Sequence, residues 1–360
     1  MKTKLQQTTE ISDYQTDIWN DSCSVKELSY SLKNSDCTGA TNNPVIVGNV
    51  LENEFAIWED RIYEIIKEFP QFGEIEVTWK LIEEMTQKGA ELLKPVFVRS
   101  QGKKGRISIQ VNPKNWRNTE KMLKQAVHFN TLAENIIVKL PVTKAGINAI
   151  EEATYRGINI NATICFSVPQ CVAVAEAVER GLKRRENEGN NAATMTPVCT
   201  LMMGRQDDWL RAIAKKTNTI LNPETLAWSG IAAIKKTYRI FKSREYRARL
   251  LAAAYRNHLH WTELIGGDLI LTMPYEWQVK FNTSDIDVKK RMDSPVDATI
   301  LEELENKIPG EWKKAYYEDG MTIEGFDSYG PVQRTLRSFI QGYDNLVAKI
   351  RDFMIPNPDL

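Results

Sequence analysis

Eight times along the chain a short apolar run recurs, and longer stretches with apolar residues three and four positions apart lie between the runs. The short runs are DIWNDS (17–22), CTGATN (37–42), RISIQV (106–111), NIIVKL (135–140), NATICFS (161–167), PVCTLMM (197–203), RLLAAAY (249–255) and DLILTMP (268–274). VLENEFAIWEDRIYEIIKEF (50–69), TEKMLKQAVHFNTLA (119–133), KAGINAIEEATYRG (144–157) and VPQCVAVAEAVERGLKRR (168–185) carry the period of amphipathic helices, and Gly157 sits where the third of them should stop. Strands alternating with helices imply a parallel sheet, because parallel neighbours are joined only by a crossover, usually a helix. Eight such units favour an α/β fold, a closed (β/α)8 TIM barrel, with an open doubly wound sheet as the alternative.

The pattern changes near residue 298, beyond which the chain reads as helical without strands. FDSYGP (326–331) reads as a turn leading into residues 332–354, where Val332, Leu336, Phe339, Tyr343, Leu346, Ile350 and Phe353 form one apolar stripe. The expected division is a barrel catalytic domain over 1–297 and a helical C-terminal extension over 298–360 packed on it. A stripe this regular must be buried, and the sequence leaves open whether it covers the active end of the barrel.

Composition narrows the function classes. Lys+Arg and Asp+Glu number 47 each in 360 residues, so the formal net charge is zero, unlike the basic excess of proteins that bind nucleic acid or anionic membranes. The mixed run GLKRRENEGNN (181–191) reads as a solvated helix end and loop, and GKKGR (102–106), which lacks phosphate-loop spacing, as a turn. No apolar stretch reaches 18 residues and the first residues lack a signal-peptide core, so the expected location is the cytoplasm. Cys23, Cys37, Cys165, Cys171 and Cys199 show no metal-ligand or disulfide spacing, and His128, His258 and His260 are too few for a facial triad. Neither a metal nor a cofactor is expected.

In such a barrel the active site lies at the carboxyl ends of the strands. Those ends carry Asp21, Asn42 or Asn43, Gln110, Lys139, Asn161 and Thr163, Thr200, and Arg256. Lys139, in IIVKLPVTKAGI (136–147), closes a continuous apolar run, where a charged ammonium is costly unless paired or deprotonated. Desolvation and nearby cations can lower a lysine toward about pH 7–8, and the neutral amine can then attack a ketone to form an imine. The alternative is a structural lysine paired with Asp21. Arg205 in MMGRQDDWL (202–210) and Arg256 in AAAYRN (252–257) stand just past apolar strands, where each suits either a phosphate or a surface salt bridge.

Taken in order, IWNDS, GATNNP, RISIQVNP, IIVKLPVTKAGINAIEEATYRGININATICFS, MMGRQDDWL and RLLAAAYRN followed by LIGGDLILTMP resemble the transaldolases over most of the chain. The stretch 135–167 is the specific part. The resemblance implies a β/α barrel with a Schiff-base lysine on the fourth strand, at Lys139, and Asp21 as an acid–base residue. It implies that Asn43 and Asn161 hold the substrate hydroxyls and the imine, that Thr163 positions a catalytic water, and that Arg205 and Arg256 bind the sugar phosphate. The implied chemistry is cofactor-free transfer of a three-carbon dihydroxyacetone unit from a ketose phosphate to an aldose phosphate. The expected partners are those sugars, with no nucleic acid and no membrane, in a monomer or homodimer.

Three positions depart from the family pattern. The glutamate expected at the end of the third strand is Gln110, whose amide cannot exchange a proton near neutrality. The related fructose 6-phosphate aldolases also carry glutamine there, but with a tyrosine on the sixth strand where Met202 stands. Ala254 replaces the serine two residues before the second arginine, and Thr200 stands where serine is usual. Together these changes suggest a substrate with a different anion or none. They keep open an aldolase that releases the three-carbon unit, and a non-catalytic sugar-phosphate-binding relative.

Overall fold

The computed structural model describes residues 2–358. The division into 1–297 and 298–360 runs past the described residues at both ends. The strands are β1 (Asp17–Asn20), β2 (Gly39–Ala40), β3 (Arg106–Gln110), β4 (Ile136–Pro141), β5 (Ile160–Thr163), β6 (Val198–Met202), β7 (Arg249–Ala253) and β8 (Ile270–Met273). Each pairs in parallel with the next, and β8 returns to β1 with Asn20 opposite Met273, so the sheet is a closed barrel in chain order. The chain is therefore a (β/α)8 barrel, and the open doubly wound alternative is excluded. Among the described residues no helix is long and apolar enough to cross a membrane.

Local chemistry sets the turns that deliver side chains to one end. Asn43, Asn118, Thr143 and Ser167 cap the helices Pro44–Asn53, Thr119–Phe129, Lys144–Tyr155 and Val168–Asn187, each accepting a first-turn backbone N–H. These caps end the connections soon after each strand, which holds the strand ends in a narrow ring. Gly146 lets the helix after β4 close on that strand, since a Cβ there would lie 1.7 Å from the Pro141 carbonyl oxygen.

Several strands are shorter than their apolar runs. CTGATN supplies only two strand residues, because Thr41–Asn43 already turn into the next helix. In NATICFS the strand ends at Thr163, because Ile164 takes φ 59°, a left-handed conformation that no strand continues through. The expected helix over 50–69 divides at Glu54 into Pro44–Asn53 and Phe55–Glu68, with Ser24 donating to the Glu54 carboxylate at 2.6 Å. A long helix, Glu74–Arg99, follows; its buried face includes Val77, Leu81, Met85 and Leu93.

The core has two layers. One lies between strands and surrounding helices; the other fills the barrel itself with Trp19, Ile137, Val198, Leu251 and Ile270. The C-terminal helix, Gly330–Met354, joins the inner layer: Val332, Leu336 and Phe339 cluster with Met202 and Ala253 at the ends of β6 and β7. Its second half packs on helices 44–53 and 74–99. Its apolar stripe therefore roofs part of the barrel mouth.

The fold also gathers what spacing did not. Cys165, Cys171 and Cys199 are buried with their sulfurs within 4.8 Å of one another, although they are 6 and 28 positions apart in the chain.

Candidate active site

A cavity of about 200 Å³ opens at the carboxyl ends of the strands, and Asp21, Asn43, Lys139, Thr200, Arg205 and Arg256 all line it. Lys139 enters from β4, in register with Gln110 of β3 and Asn161 of β5. Its side chain is 4% exposed and its Nζ donates to the Asn42 carbonyl oxygen at 3.1 Å. Burial pulls its pKa from 10.5 to about 8; Asp21 opposes that shift and Arg205 adds to it. Among the described residues no Lys139–Asp21 ion pair forms, so the purely structural pairing is not what the fold builds.

Asp21 stands just past β1 and accepts from the Thr41 hydroxyl at 2.6 Å. Desolvation raises its pKa, against the lowering pull of Lys139, Thr41 and Arg205. Of the two asparagines the sequence left open, Asn43 is the one that faces the cavity. Its Oδ1 caps helix 44–53 through Val45 N (2.9 Å) and Ile46 N (3.1 Å), and among the described residues its NH₂ meets no hydrogen-bond partner. Asn42 instead turns its amide toward Thr86 at 3.3 Å.

Gln110, Asn161 and Thr163 do not line the cavity; they lie buried on the neighbouring strands around Lys139. Asn161 is engaged at both ends, donating to the Ser108 hydroxyl (3.1 Å) and accepting from that of Thr200 (2.7 Å). Gln110 Oε1 and Thr163 Oγ1 are buried and, among the described residues, meet no hydrogen-bond partner. Both atoms lie beside Lys139 on the neighbouring strands.

The two arginines differ. Arg205 begins the third position of helix Met203–Lys216, which has no side-chain cap. Its guanidinium makes no hydrogen bond or ion pair among the described residues and rests over the Phe339 ring at 5.3 Å. Burial lowers its pKa, and Arg256 lowers it further. Arg256 is 41% exposed and paired with Asp208 at 2.8 Å, so at this residue the salt-bridge reading and the cavity position hold together. Arg205 is thus a half-buried cation that, among the described residues, has no ion-pair partner, and it shares the cavity lining with Arg256. Ala254 lines the same wall with φ 67°, and it contributes no hydroxyl.

Sequence reasoning missed Thr41, Asp208, Tyr255 and Trp277. Thr41 was hidden because β2 is too short to show an alternation, and Asp208 because DD in GRQDDWL reads as an ordinary solvated pair. Tyr255 lines the cavity, and among the described residues its buried hydroxyl meets no partner.

Comparison with known proteins bears on this geometry. A family model described as transaldolase/fructose-6-phosphate aldolase matches residues 18–324. A protein named transaldolase 2 from Nostoc punctiforme is 26% identical over 95% of this chain and 96% of its own. Another transaldolase 2, from Nostoc sp., is 27% identical over 74% of this chain and 78% of its own, and a transaldolase from Thermobifida fusca is 27% identical over 71% and 67%.

Proposed function

The chain belongs to the transaldolase/fructose-6-phosphate aldolase family of enzymes, and on that premise we propose that it transfers a dihydroxyacetone unit from a ketose phosphate to an aldose phosphate through a Schiff base on Lys139. The observation that carries this reading is one amine, drawn by burial to about pH 8, in a cavity that Arg205 and Arg256 also line.

The neutral Lys139 amine attacks the ketone carbon, and loss of water gives an imine that is protonated at nitrogen. Asp21 takes the proton of the hydroxyl two carbons from the iminium carbon; the bond between that carbinol carbon and the intervening carbon breaks, its electron pair enters the iminium, and an aldehyde departs. The remaining enamine attacks the acceptor aldehyde, Asp21 returns the proton, and hydrolysis frees the amine. Asn43, whose NH₂ faces the cavity, holds a hydroxyl of the bound unit, and Asn161, engaged by Ser108 and Thr200 beside Lys139, reaches the imine only by giving up one of those bonds. Thr163 orients the water that carries protons beside Gln110, whose amide accepts a hydrogen bond but moves no proton. Thr200 fixes the orientation of Asn161, and Arg205 with Arg256 holds the phosphate end.

One observation favours a second reading. Gln110 is the residue of the aldolase half of the family, although Met202 offers no hydroxyl from β6. Release of free dihydroxyacetone without an acceptor would identify that activity. The proposal is tested by borohydride reduction in the presence of phosphorylated, sulfonated and free ketoses, followed by mass spectrometry. A reduced adduct on Lys139 with a phosphorylated ketose is expected; no adduct with any ketose would leave a binding protein.

A further inference from the structure

Arg256 is held from two directions by consecutive carboxylates. Asp208 takes the head group, accepting from Nε at 3.0 Å and Nη2 at 2.8 Å. Arg256 Nη1 donates to the Tyr255 carbonyl oxygen at 2.9 Å. A guanidinium has five N–H donors. Three are thus spent on protein, and the remaining two belong to the neighbouring Nη1 and Nη2, the end-on fork that fits two oxygens of one tetrahedral anion.

Asp207 acts on the other end of the same residue. The Arg256 backbone N–H donates to His260 Nδ1 at 3.2 Å, and His260 Nε2 meets Asp207 Oδ2 at 2.8 Å. A backbone amide can only donate, so Nδ1 carries the lone pair; the ring is the neutral Nε2–H tautomer, and it donates to Asp207. The other Asp207 oxygen accepts from Ser229 Oγ at 2.6 Å and Gly230 N at 2.8 Å. The pair is buried, His260 fully and Asp207 to 1%, and it joins helix 203–216, helix 229–243 and the turn after β7. Gly204 lets that turn approach: a Cβ there would stand 1.9 Å from the Ala254 carbonyl oxygen.

We propose that Asp207 and His260 are positioning residues for the anionic end of the substrate, fixing the backbone of Arg256 so that its free N–H fork faces the cavity. The proposal rests on the reading of the cavity as a sugar-phosphate site. The two devices are complementary: Asp208 orients the guanidinium, and the Asp207–His260 pair sets the point from which it is hung. With Ala254 supplying no hydroxyl, the anion's hold on β7 passes through Arg256, and its placement matters more.

The test compares His260→Leu with His260→Gln, because glutamine can accept from the Arg256 amide and donate to Asp207, whereas leucine can do neither. For His260→Leu the expected result is a KM for fructose 6-phosphate roughly tenfold higher, as for one lost charge-assisted contact, with kcat and the borohydride adduct from free dihydroxyacetone unchanged. His260→Gln should stay near wild type. Equal losses with phosphorylated and free ketoses, or no recovery in His260→Gln, overturn the proposal. Should His260→Leu fail to fold, inorganic phosphate is titrated into wild-type protein labelled with ¹⁵N-histidine. Saturable shifts of the His260 imidazole signals, lost in Arg256→Met, are expected; their absence overturns it. A wild-type protein that forms the Lys139 adduct with free but never with phosphorylated ketoses overturns the phosphate reading itself, before any variant is made.

Discussion

At the scale of single residues the chemistry turns on how Lys139 shares its proton. With a pKa of about 8, on the order of one amine in ten is neutral at pH 7, and the fraction rises toward one by pH 9. The rate of adduct formation should therefore climb through this range with its half-maximum near pH 8. Asp21 holds the ammonium form, so Asp21→Asn shifts the profile to lower pH; Arg205 disfavours it, so Arg205→Met shifts the profile upward. Stability carries the same sign. Because the folded pKa lies below that of the unfolded chain, unfolded protein binds the extra proton between pH 8 and 10.5, and folding gains as pH rises through that window. Urea unfolding of wild type and Lys139→Met at pH 7.5 and 10 checks this: wild type should gain ground at the higher pH. Lys139, Asp21 and the two arginines were legible because a polar residue ending an apolar strand is conspicuous. His260 was not, since its value lies in Asp207 53 positions away, a pairing that only the folded chain creates.

Secondary-structure elements show where pattern stops being informative. The eight strands and their order were readable from apolar runs, but the ends were not, because barrel strands stop when the backbone turns rather than when apolarity ceases. Ile164 is the clearest instance: apolar and β-branched, it ends β5 through a φ of 59°. Helix 74–99 went unassigned because its apolar positions are interleaved with charge and carry Pro95. Asn43 serves an element and a site at once. Asn43→Ala should cost about 1 kcal/mol as a lost helix cap and also raise KM, measured by thermal unfolding and by donor titration. In the C-terminal helix, Phe339 is fully buried and supports Arg205. Phe339→Ala should destabilise by about 3–5 kcal/mol, with weaker phosphate-donor binding in whatever fraction remains folded.

For the molecule as a whole, the barrel brings residues from six strand ends into one small space, and the C-terminal helix closes part of its mouth. The stripe at 332–354 announced that burial in the sequence, but not its location: an amphipathic pattern states that a face is covered without stating by what. Removing 332–354 uncovers Met202, Ala253 and the apolar faces of helices 44–53 and 74–99. The expected outcome is loss of cooperative unfolding and aggregation, rather than a folded enzyme with a wider mouth; a soluble truncation with normal unfolding but poor substrate affinity would recast the helix as a lid. The proposed transfer chemistry is read most directly by incubation with fructose 6-phosphate and borohydride at pH 8, followed by peptide mass analysis. A three-carbon dihydroxyacetone or six-carbon ketose adduct confined to Lys139, and absent from Lys139→Met, is the expected result. Transfer activity that persists in Lys139→Met, or an adduct on any other lysine, contradicts it.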